Sequence, residues 1–529
     1  MKRKIIGIII CVLLLIITTL PVTGNITKIN QQKLLKSRVL DDLNIDLAIT
    51  NAFSNNVKIL LGDGSGGFTT SGSIPVENFS LGITEGDFNG DGILDLITTS
   101  FDNHKVTVLL GDGTGDFLNS GSFLTGLCPV GITDEDFNKD GNLDIAIANI
   151  GENYISVLLG KGTGDFKTQS PYNVGNGPVG LTHGTFNDDD NCDLVVISIN
   201  DNSMSLLLGD GAGGFVLSKS IVLGFNYKPY AITKGDFNID GNLDVAIASG
   251  GYPYVGILLG DGTGGFSSLK NYEVGNGSER FDIIAADFNN DEYPDIAVSN
   301  TDDDNVSVLL GNETSGFETQ KTYPVGTYPA GICYGDFNAD SNLDLAVANT
   351  NDNTIGILLG DGTGGFGIQQ AFPAGDGPVR IISGNINYIP VPDLECHDTL
   401  NWTSIKPGIT IFSEFEIKNI GDPGSKLNWE VSEYPTEWGS NWTFIPNNGT
   451  GLTSEAGLVT IIISTEIPDE TKKEFQGKIK VVNVNNLSDY CEIEIYLQTP
   501  RAKPIFYSVL HRIFEHFLSA FPMLKNLIR

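Results

Sequence analysis

The chain has 529 residues, enough for several domains, and 65 acidic residues against 31 basic ones give a formal charge of −34 at pH 7. This excess of acid argues against nucleic acid as a partner, because phosphates bind to basic surfaces. The five histidines are scattered and no GxSxG, HExxH or Walker A string occurs, which argues against a Ser-His-Asp triad and a zinc hydrolase.

The N-terminus has the order of an export signal. MKRK precedes an apolar run from Ile5 to Leu20, and PVTG follows it. This pattern predicts a signal peptide over residues 1–24 and a linker over 25–37, and therefore a secreted or cell-surface protein. An uncleaved membrane anchor is the alternative, since the run is nearly long enough to span a bilayer.

A nine-residue string then sets the pattern for most of the chain. DFNGDGILD at Asp87 has oxygen-bearing side chains at positions one, three, five and nine and a glycine at position six, and it recurs at Asp136, Asp236, Asp287 and Asp336, with a weaker copy, TFNDDDNCD, at Thr185. Oxygen ligands around a tight turn are what Ca²⁺ prefers. A plain polar turn is the alternative for any single copy, but repetition favours metal, and an EF-hand would need a Glu at position twelve and flanking helices.

Four loops, those starting at Asp87, Asp136, Asp236 and Asp336, are expected to hold one Ca²⁺ each, and the loop at Asp287 is the fifth candidate. The loop at Thr185 lacks the first carboxylate and is expected to be empty. Asp190 and Glu292 replace the glycine of position six, as does Ser341, at a cost of about 1 kcal/mol where φ is positive. The predicted ligands are Asp87, Asn89, Asp91, Asp95, Asp136, Asn138, Asp140, Asp144, Asp236, Asn238, Asp240, Asp244, Asp287, Asn289, Asp291, Asp295, Asp336, Asn338, Asp340 and Asp344.

A second marker runs in phase with these loops. LLGDGSGGF at Leu60 is the first of seven versions of this marker, and the nine-residue loops start 49 to 51 residues apart. GDGTGG at Gly260 matches GxGxxG formally, but a strand follows it, so it reads as a hairpin turn. Each repeat then contains four strands, and the pattern predicts a seven-bladed β-propeller over residues 38–389. Residues 379–386 are expected to pair with residues 44–50 and so close the ring.

The paired motifs resemble the FG-GAP/VCBS repeats of prokaryotic surface proteins, which are similar to the repeats of the integrin α-subunit propeller. The resemblance covers residues 38–389 and implies a calcium-stabilised propeller that serves adhesion or ligand binding.

A new domain is expected from about Pro390. The four tryptophans occur only beyond this point, and runs such as ITIFSEFEIKN and LVTIIIST alternate with turns, which predicts a β-sandwich over residues 390–499. It resembles BACON-like and other Ig-like modules. Cys396 and Cys491 bracket this domain and are the pair that a disulfide would join, whereas Cys128, Cys192 and Cys333 are predicted to be buried as small apolar residues. Nine N-x-S/T sequons, Asn78 among them, fit a glycoprotein.

The tail, residues 500–529, has apolar residues at three- and four-residue spacing and five basic residues against Glu515. It predicts an amphipathic helix that associates with an anionic membrane or cell envelope, or that docks on the preceding domain. The whole chain is therefore expected to be all-β, a propeller followed by a sandwich, with this one short helix.

The ligand is expected on the face opposite the calcium loops, because loops on a rigid scaffold are where binding tends to occur. The aromatic-rich sector there contains Tyr227, Tyr230, Tyr252, Tyr254, Arg280 and Phe281. The preferred function is a calcium-binding adhesion or ligand-binding protein for an extracellular protein or carbohydrate, and not an enzyme. A polysaccharide-active hydrolase or lyase and a structural component of the cell envelope are the alternatives.

Overall fold

In the computed structural model, the residues described are 44–168, 171–275, 280–312, 316–389, 392, 394–397, 400–403, 410–422, 424–436, 442–454, 456–466, 474–487 and 489–498. The predicted signal peptide, the linker and the basic tail lie outside these residues. The described part of the chain is almost entirely β-structure, with one short 3₁₀ turn at Thr301–Asp303. None of its helices is long and apolar enough to cross a membrane.

The described residues up to Gly384 form seven large antiparallel sheets, which we number in chain order of their second strands, and a separate two-stranded hairpin, β24-β25. Six sheets have four strands, and in sheet 3 a fifth, β12, continues the outer edge. From inner to outer strand, the order is β31-β1-β2-β3 in sheet 1, β4 to β7 in sheet 2, β8 to β11 in sheet 3, β13 to β16 in sheet 4, β17 to β20 in sheet 5, β21-β22-β23-β26 in sheet 6 and β27 to β30 in sheet 7.

The strand bounds follow from the repeat. They are β1 (Asp46–Asn51), β2 (Asn56–Gly62), β3 (Phe68–Pro75), β4 (Ser80–Gly86), β5 (Asp95–Ser100), β6 (Lys105–Gly111), β7 (Phe117–Leu124), β8 (Pro129–Glu135), β9 (Asp144–Asn149), β10 (Tyr154–Gly160), β11 (Phe166–Thr168), β12 (Tyr172–Asn173), β13 (Pro178–Gly184), β14 (Asp193–Ser198), β15 (Ser203–Gly209), β16 (Phe215–Val222), β17 (Pro229–Gly235), β18 (Asp244–Ser249), β19 (Tyr254–Leu258), β20 (Lys270–Glu273), β21 (Arg280–Ala286), β22 (Asp295–Asn300), β23 (Asn305–Leu309), β24 (Gly311–Asn312), β25 (Gly316–Phe317), β26 (Lys321–Pro324), β27 (Pro329–Gly335), β28 (Asp344–Asn349), β29 (Thr354–Leu358), β30 (Gln370–Pro373) and β31 (Pro378–Gly384).

Burial falls from the second strand to the outer, fourth strand of each sheet, as expected where neighbouring sheets pack face to face. The second strands, such as DLITTS in β5 and DIAIAN in β9, are buried along their whole length, because both faces of the sheet pack against a neighbour. The fourth strands, such as β3 and β7, are largely exposed. The inner strands of neighbouring sheets contact one another in cyclic order, from β4 through β8, β13, β17, β21 and β27 to β31 and back to β4.

The chain closes this cycle by pairing its two ends. β31 lies antiparallel to β1, with Ile381 opposite Ile49 and Gly384 opposite Asp46. The pairing expected from the sequence is therefore present, with the inner strand starting one residue earlier and ending two residues earlier than predicted. Sheet 1 consequently contains strands from both ends of the repeat region, and its inner edge is paired.

The C-terminal region forms two further sheets around one core. The first has the order β32-β34-β38-β36 and the second β33-β40-β39-β35-β37. Buried residues of both sheets share a cluster centred on Trp429 and Phe415, and a disulfide joins Cys396 to Cys491. The strands are β32 (Leu394–His397), β33 (Leu400–Thr403), β34 (Thr410–Asn419), β35 (Lys426–Glu433), β36 (Thr443–Ile445), β37 (Asn448–Thr453), β38 (Val459–Glu466), β39 (Glu474–Asn483) and β40 (Tyr490–Gln498).

The other cysteines depart in part from the prediction. Cys333 is buried as expected, but Cys128 and Cys192 are only half-buried, and all three are free thiols. Burial raises the pKa of Cys192 to about 12, so its thiol stays protonated at neutral pH.

Candidate functional site

Each nine-residue loop joins the inner strand of a sheet to the second strand. In the loop of sheet 2, Asp87 Oδ1 accepts a hydrogen bond from the amide of Asp91 (3.0 Å), and Asp87 Oδ2 accepts one from the amide of Gly92 (2.8 Å). The side-chain oxygen of Asn89 accepts from the same Asp91 amide at 2.8 Å. The backbone therefore winds around the oxygens of positions one and three.

The aspartate at position nine also has a structural role, which the sequence pattern did not predict: it accepts hydrogen bonds from two other segments of its sheet. Asp95 is the first residue of β5 and is fully buried. One of its carboxylate oxygens accepts from the amide of Phe88 (3.0 Å) and the other from the amide of Gly111 (2.9 Å), at the end of the third strand. Asp46 and Asp193, outside the predicted ligand set, make the equivalent bond to the third strand. In each of the seven sheets, the aspartate at position nine therefore joins the start of the second strand to the end of the third strand.

The carboxylates of one loop lie close enough to repel each other. Burial raises the pKa of Asp95 to about 7, and the charges of Asp91 and Asp87 add to the rise. Burial likewise raises the pKa of Asp144 and Asp295 to about 7 and of Asp244 and Asp344 to about 6, each with a contribution from positions one and five of its own loop. A cation between these groups would relieve that repulsion.

The other four full loops repeat this geometry. The first aspartate accepts from the amides of positions five and six at 2.8 to 3.1 Å in the loops at Asp136, Asp236, Asp287 and Asp336. Position six has positive φ throughout, including Glu292 (72°) and Ser341 (69°). The two substitutions keep the turn, as expected, at the strain that a non-glycine residue bears there.

The loop at Thr185 differs in conformation as well as in composition. Thr185 supplies no carboxylate, and neither Asp188 nor Asp190 is among the described residues with positive φ. Asn187 and Asp189 still bond to each other. The bond from the Phe186 amide to Asp193 is also kept at 3.0 Å. The loop thus keeps its bond to the aspartate of position nine but lacks a carboxylate at position one to accept hydrogen bonds from the amides of positions five and six.

The donor chemistry fits a hard cation and does not fit zinc. Positions one, three, five and nine offer only carboxylate and amide oxygens, which suit Ca²⁺. Over the described residues, no group of three or more His, Cys, Asp and Glu side chains is arranged to hold a metal ion. The side-chain oxygens bond instead to amides of their own loop, so metal binding requires them to keep a free lone pair toward the ion.

The glycine-rich turns between third and fourth strands lie against these loops. The amide of Gly164 in sheet 3 donates to the carbonyl of Phe88 in sheet 2 at 2.9 Å. Phe88 also packs on Phe166, the last residue of the next sheet's LLGKGTGDF motif, at 6.1 Å between ring centroids. The same pair of contacts joins Gly66 and Phe68 of sheet 1 to Phe337 of sheet 7. Both sequence motifs therefore lie at one end of the sheets and link neighbours.

The opposite end carries the turns between second and third strands and the loops between sheets, where the ligand is predicted. Tyr252 is 39% exposed, its hydroxyl donates to the carbonyl of Phe225 at 3.3 Å, and its ring lies 6.4 Å from that of Tyr254. Tyr230 is half-buried in the inner strand β17. The side chains of Arg280 and Phe281 lie outside the described residues.

Tyr227 does not belong to the predicted ligand face. It is 3% exposed, and its hydroxyl donates to the buried carbonyl of Ile247 at 3.0 Å. It packs in the core between sheets 4 and 5. The sequence could not distinguish it from its exposed neighbours because it stands in a loop rich in glycine and aromatic residues. We therefore remove Tyr227 from the candidate ligand residues.

A polar layer at the inner strands was not predicted. Glu85, Asp134, His183 and Lys234 occupy the same register position in four consecutive sheets, opposite Leu96, Ile145, Leu194 and Val245. Burial raises the pKa of Glu85 to about 8 and that of Asp134 to about 6. The sequence did contain a signal for this layer, because each of these four polar residues stands two residues before a nine-residue loop.

His183 should make the protein acid-sensitive. Its side chain bonds to Thr133 Oγ (2.7 Å) and lies 3.5 Å from Glu135, and its backbone carbonyl accepts a hydrogen bond from Lys234 Nζ (2.7 Å). Burial, with the charge of Lys234, lowers the pKa of His183 from 6.5 to about 4. The unfolded chain therefore binds more protons between these values, and stability falls as pH drops through 6.5 toward 4, by about 3 kcal/mol.

His183→Asn removes this group. Denaturant titrations from pH 7 to pH 4 should show a smaller loss of stability in the variant than in the parent, and the difference between the two curves isolates His183 from the acidic groups common to both. Parallel curves would show that His183 is charged in the folded protein.

Comparison with known proteins places these features in a family of repeats. A family model described as an FG-GAP-like repeat matches residues 39–98, 186–247, 236–298 and 287–347. The chain therefore contains FG-GAP-like repeats. The loop at Asp136 lies outside the matched ranges although it has the full motif. No curated protein sequence matches the chain.

Solved structures share the fold at low sequence identity. A protein from Lactobacillus plantarum is 15% identical, with a TM-score of 0.52 and coverage of 64% of this chain and 99% of that one. A candidate 6-phosphogluconolactonase from Bacteroides uniformis is 13% identical, with a TM-score of 0.54 and coverage of 64% and 99%. The periplasmic gluconolactonase of Pseudomonas aeruginosa is 14% identical, with a TM-score of 0.50 and coverage of 64% and 98%. These likenesses establish an all-β, propeller-like fold.

The expectation that the chain is not an enzyme is corrected by these structures. Two of the three are named as lactonases, so the fold that the chain shares with them accommodates enzymes. The expectation rested on the absence of familiar catalytic strings, but an active site built from side chains on different sheets leaves no such string in the sequence.

Proposed function

We propose that residues 38–389 form a calcium-stabilised, seven-bladed β-propeller of the FG-GAP/VCBS type, which serves as the rigid scaffold of a secreted or cell-surface adhesion or ligand-binding protein. Four or five Ca²⁺ ions are held by the nine-residue loops at Asp87, Asp136, Asp236, Asp336 and Asp287. Residues 390–499 form an Ig-like module that extends the protein. The partner is an extracellular protein or carbohydrate.

The observation that carries this proposal is that the turns are nearly constant in sequence at one end of the sheets and variable at the other. At one end the loops and glycine-rich turns repeat almost unchanged and bond to one another, as with Gly164 and Phe88. At the other end the turns differ from sheet to sheet and expose aromatic rings such as Phe53, Phe225 and Tyr252. A constant, cross-linked end supports the scaffold, and a variable, aromatic end suits recognition.

Two further features support the extracellular setting. The disulfide between Cys396 and Cys491 is typical of oxidising compartments. Calcium is abundant outside cells, where loops that bind it weakly would still be filled.

The test is binding of the purified full chain to whole cells and to immobilised extracellular glycans and proteins. Binding should occur in millimolar Ca²⁺, disappear in EDTA and return when calcium is restored. Failure to bind any surface in calcium would refute the proposal, and binding that EDTA leaves intact would remove the calcium requirement from it.

Tyr252→Ala and Tyr254→Ala test the sector of sheet 5. Because Tyr252 is partly exposed and its hydroxyl makes a single long bond to Phe225, the double variant should melt within about 2 °C of the parent while its binding to the same surface weakens about tenfold or more. Unchanged binding together with a lower melting temperature would show that these rings only pack against the loop.

A further inference from the structure

The recognition end of the sheets contains a groove lined with aromatic residues between sheets 1 and 2. It is open, has a volume of about 340 Å³, and is lined by Ala52, Phe53, Asn55, Asn78, Phe79 and Asp102. The ring centroids of Phe53 and Phe79 are 6.2 Å apart with the planes at 43°, and Phe101 supports Phe79 edge-on at 5.8 Å. We call this site the Phe groove.

Phe53 differs from the residues that occupy its place in the other sheets, and its ring lies against Gly377 and Phe79. The residue before it, Ala52, donates its amide to the carbonyl of Gly377, and an equivalent bond fixes the turn in five other sheets. The residues that stand in the place of Phe53 in those sheets are Asp102, Gly151, Asn200, Gly251 and Asn351. The turn therefore accepts a small or polar residue, yet here it presents a phenyl ring that is 59% exposed.

Phe79 stands at a position where the backbone favours glycine. Its φ is 55°. The equivalent places are Gly177 and Gly377 in sheets 4 and 1, each with φ of 68°, and Cys128, Lys228 and Tyr328 in sheets 3, 5 and 7, with φ of 55°, 50° and 58°. A bulky residue is strained in this region. Since sheets with glycine form the same hydrogen bond, the ring of Phe79 is not needed for the turn, and its contact with Phe53 builds the wall of the groove.

The chemistry of the groove matches a sugar ring. Phenyl faces offer apolar contact to the C–H face of a pyranose, while the amides and the carboxylate of Asn55, Asn78 and Asp102 can exchange hydrogen bonds with hydroxyl groups. Asn55 uses its oxygen to accept from the amide of Phe79 at 2.9 Å, which fixes the rim in place. Pockets that bind small ligands have this composition, aromatic and apolar side chains with a few precisely placed polar groups.

The negative charge of the chain favours a neutral sugar over an acidic one as the ligand of the groove. The residues lining the groove include no Lys or Arg, and the chain carries a formal charge of −34, so a uronate or sulfate would be repelled. We propose that the Phe groove binds a neutral carbohydrate residue, with Phe53 and Phe79 as the stacking platform. This inference rests on the proposed ligand-binding function and names its ligand class.

The sequence indicates a second occupant for the groove, a glycan of the same chain. Asn78, Phe79 and Ser80 form an N-x-S sequon, and Asn78 is exposed. A glycan attached to Asn78 of the same chain would then lie over the two rings. Glycopeptide mapping of the purified chain by mass spectrometry identifies this case, and a glycan found on Asn78 would overturn binding of an external carbohydrate.

The experiment compares Phe53→Asn, which installs the residue that sheet 7 has at this place, with the matched control Leu127→Asn. Leu127 is 45% exposed in the loop between sheets 2 and 3, at the same end of the molecule. The full chain and both variants are tested against immobilised neutral oligosaccharides of glucose, galactose and mannose, with polygalacturonate as the charged comparison. Melting temperatures confirm that both variants are folded.

The expected result is that the parent and Leu127→Asn bind at least one neutral oligosaccharide with equal affinity, that Phe53→Asn binds it about tenfold or more weakly, and that polygalacturonate is not bound. The inference is overturned if Phe53→Asn binds as the parent does, if the control loses affinity equally, or if the charged polymer is preferred. A parent that binds cells or proteins in calcium but no carbohydrate would overturn this inference and leave the proposed function standing.

Discussion

Removing calcium should lower the free energy of unfolding of the repeat region by about 2.7 kcal/mol for every filled loop, when calcium is present at a hundredfold excess over its Kd. With four or five loops filled, the total exceeds the stability of many domains. The melting temperature in EDTA should therefore lie far below that in calcium, and differential scanning calorimetry measures the shift directly. Metal analysis of the dialysed protein should give four to five calcium ions per chain.

A single substitution tests this prediction further, because its effect on stability should have opposite signs in EDTA and in calcium. Asp91→Asn removes one of the carboxylates that repel Asp95, so in EDTA the variant should be as stable as the parent or slightly more stable. In calcium it should be less stable, because the ion loses a charged ligand. The effect of the substitution thus reverses between the two conditions.

The chain supplies its own control for this reversal. Asp189→Asn makes the same change in the loop at Thr185, whose position one has no carboxylate and whose turn residues lack positive φ. Its effect on stability should be the same with and without calcium. If Asp91→Asn also behaved alike in both conditions, or if EDTA left the melting temperature of the parent unchanged, the loops would be polar turns only.

Much of the scaffold could be predicted because its determinants are local and repeated. The spacing of Asp87, Asn89, Asp91 and Asp95 specifies a loop whose bonds run between residues at most seven apart. The alternation of apolar runs with two constant turns then defines four strands in each repeat. The pairing of the first and last strands followed from each end lacking one half of a repeat.

The recognition end was predicted less well because its contacts are not local. Tyr227 and Tyr252 stand in similar loop sequences, yet Tyr227 is buried with its hydroxyl bonded to the carbonyl of Ile247 in β18, whereas Tyr252 is partly exposed. The Phe groove needs Phe53 and Phe79, which are brought together only when sheets 1 and 2 pack. The two residues can be recognised as unusual only when the turns of the seven sheets are compared, and the hydrogen bonds that identify equivalent positions are known only from the structure.

The closure of the cycle leads to the last prediction. Leu47 in β1 and Leu96 in β5 occupy the same place in sheets 1 and 2, and both are fully buried. In an open array the terminal repeat frays, and a substitution there costs little. In a closed ring the terminal strand is as constrained as any other. Leu47→Ala and Leu96→Ala should therefore each lower the free energy of unfolding by about 2–5 kcal/mol.

Hydrogen exchange in calcium distinguishes the closed ring from a frayed one without any substitution. The amides of β1 pair with both β2 and β31, while Gly66 and Phe68 tie sheet 1 to Phe337 of sheet 7. Exchange in β1 should consequently be as slow as in β5 and should speed up by the same factor in either leucine variant, because the ring opens as one unit. If β1 exchanged many times faster than β5 and Leu47→Ala cost less than about 1 kcal/mol, the two ends of the repeat region would be only loosely joined, and sheet 1 would behave as a frayed end.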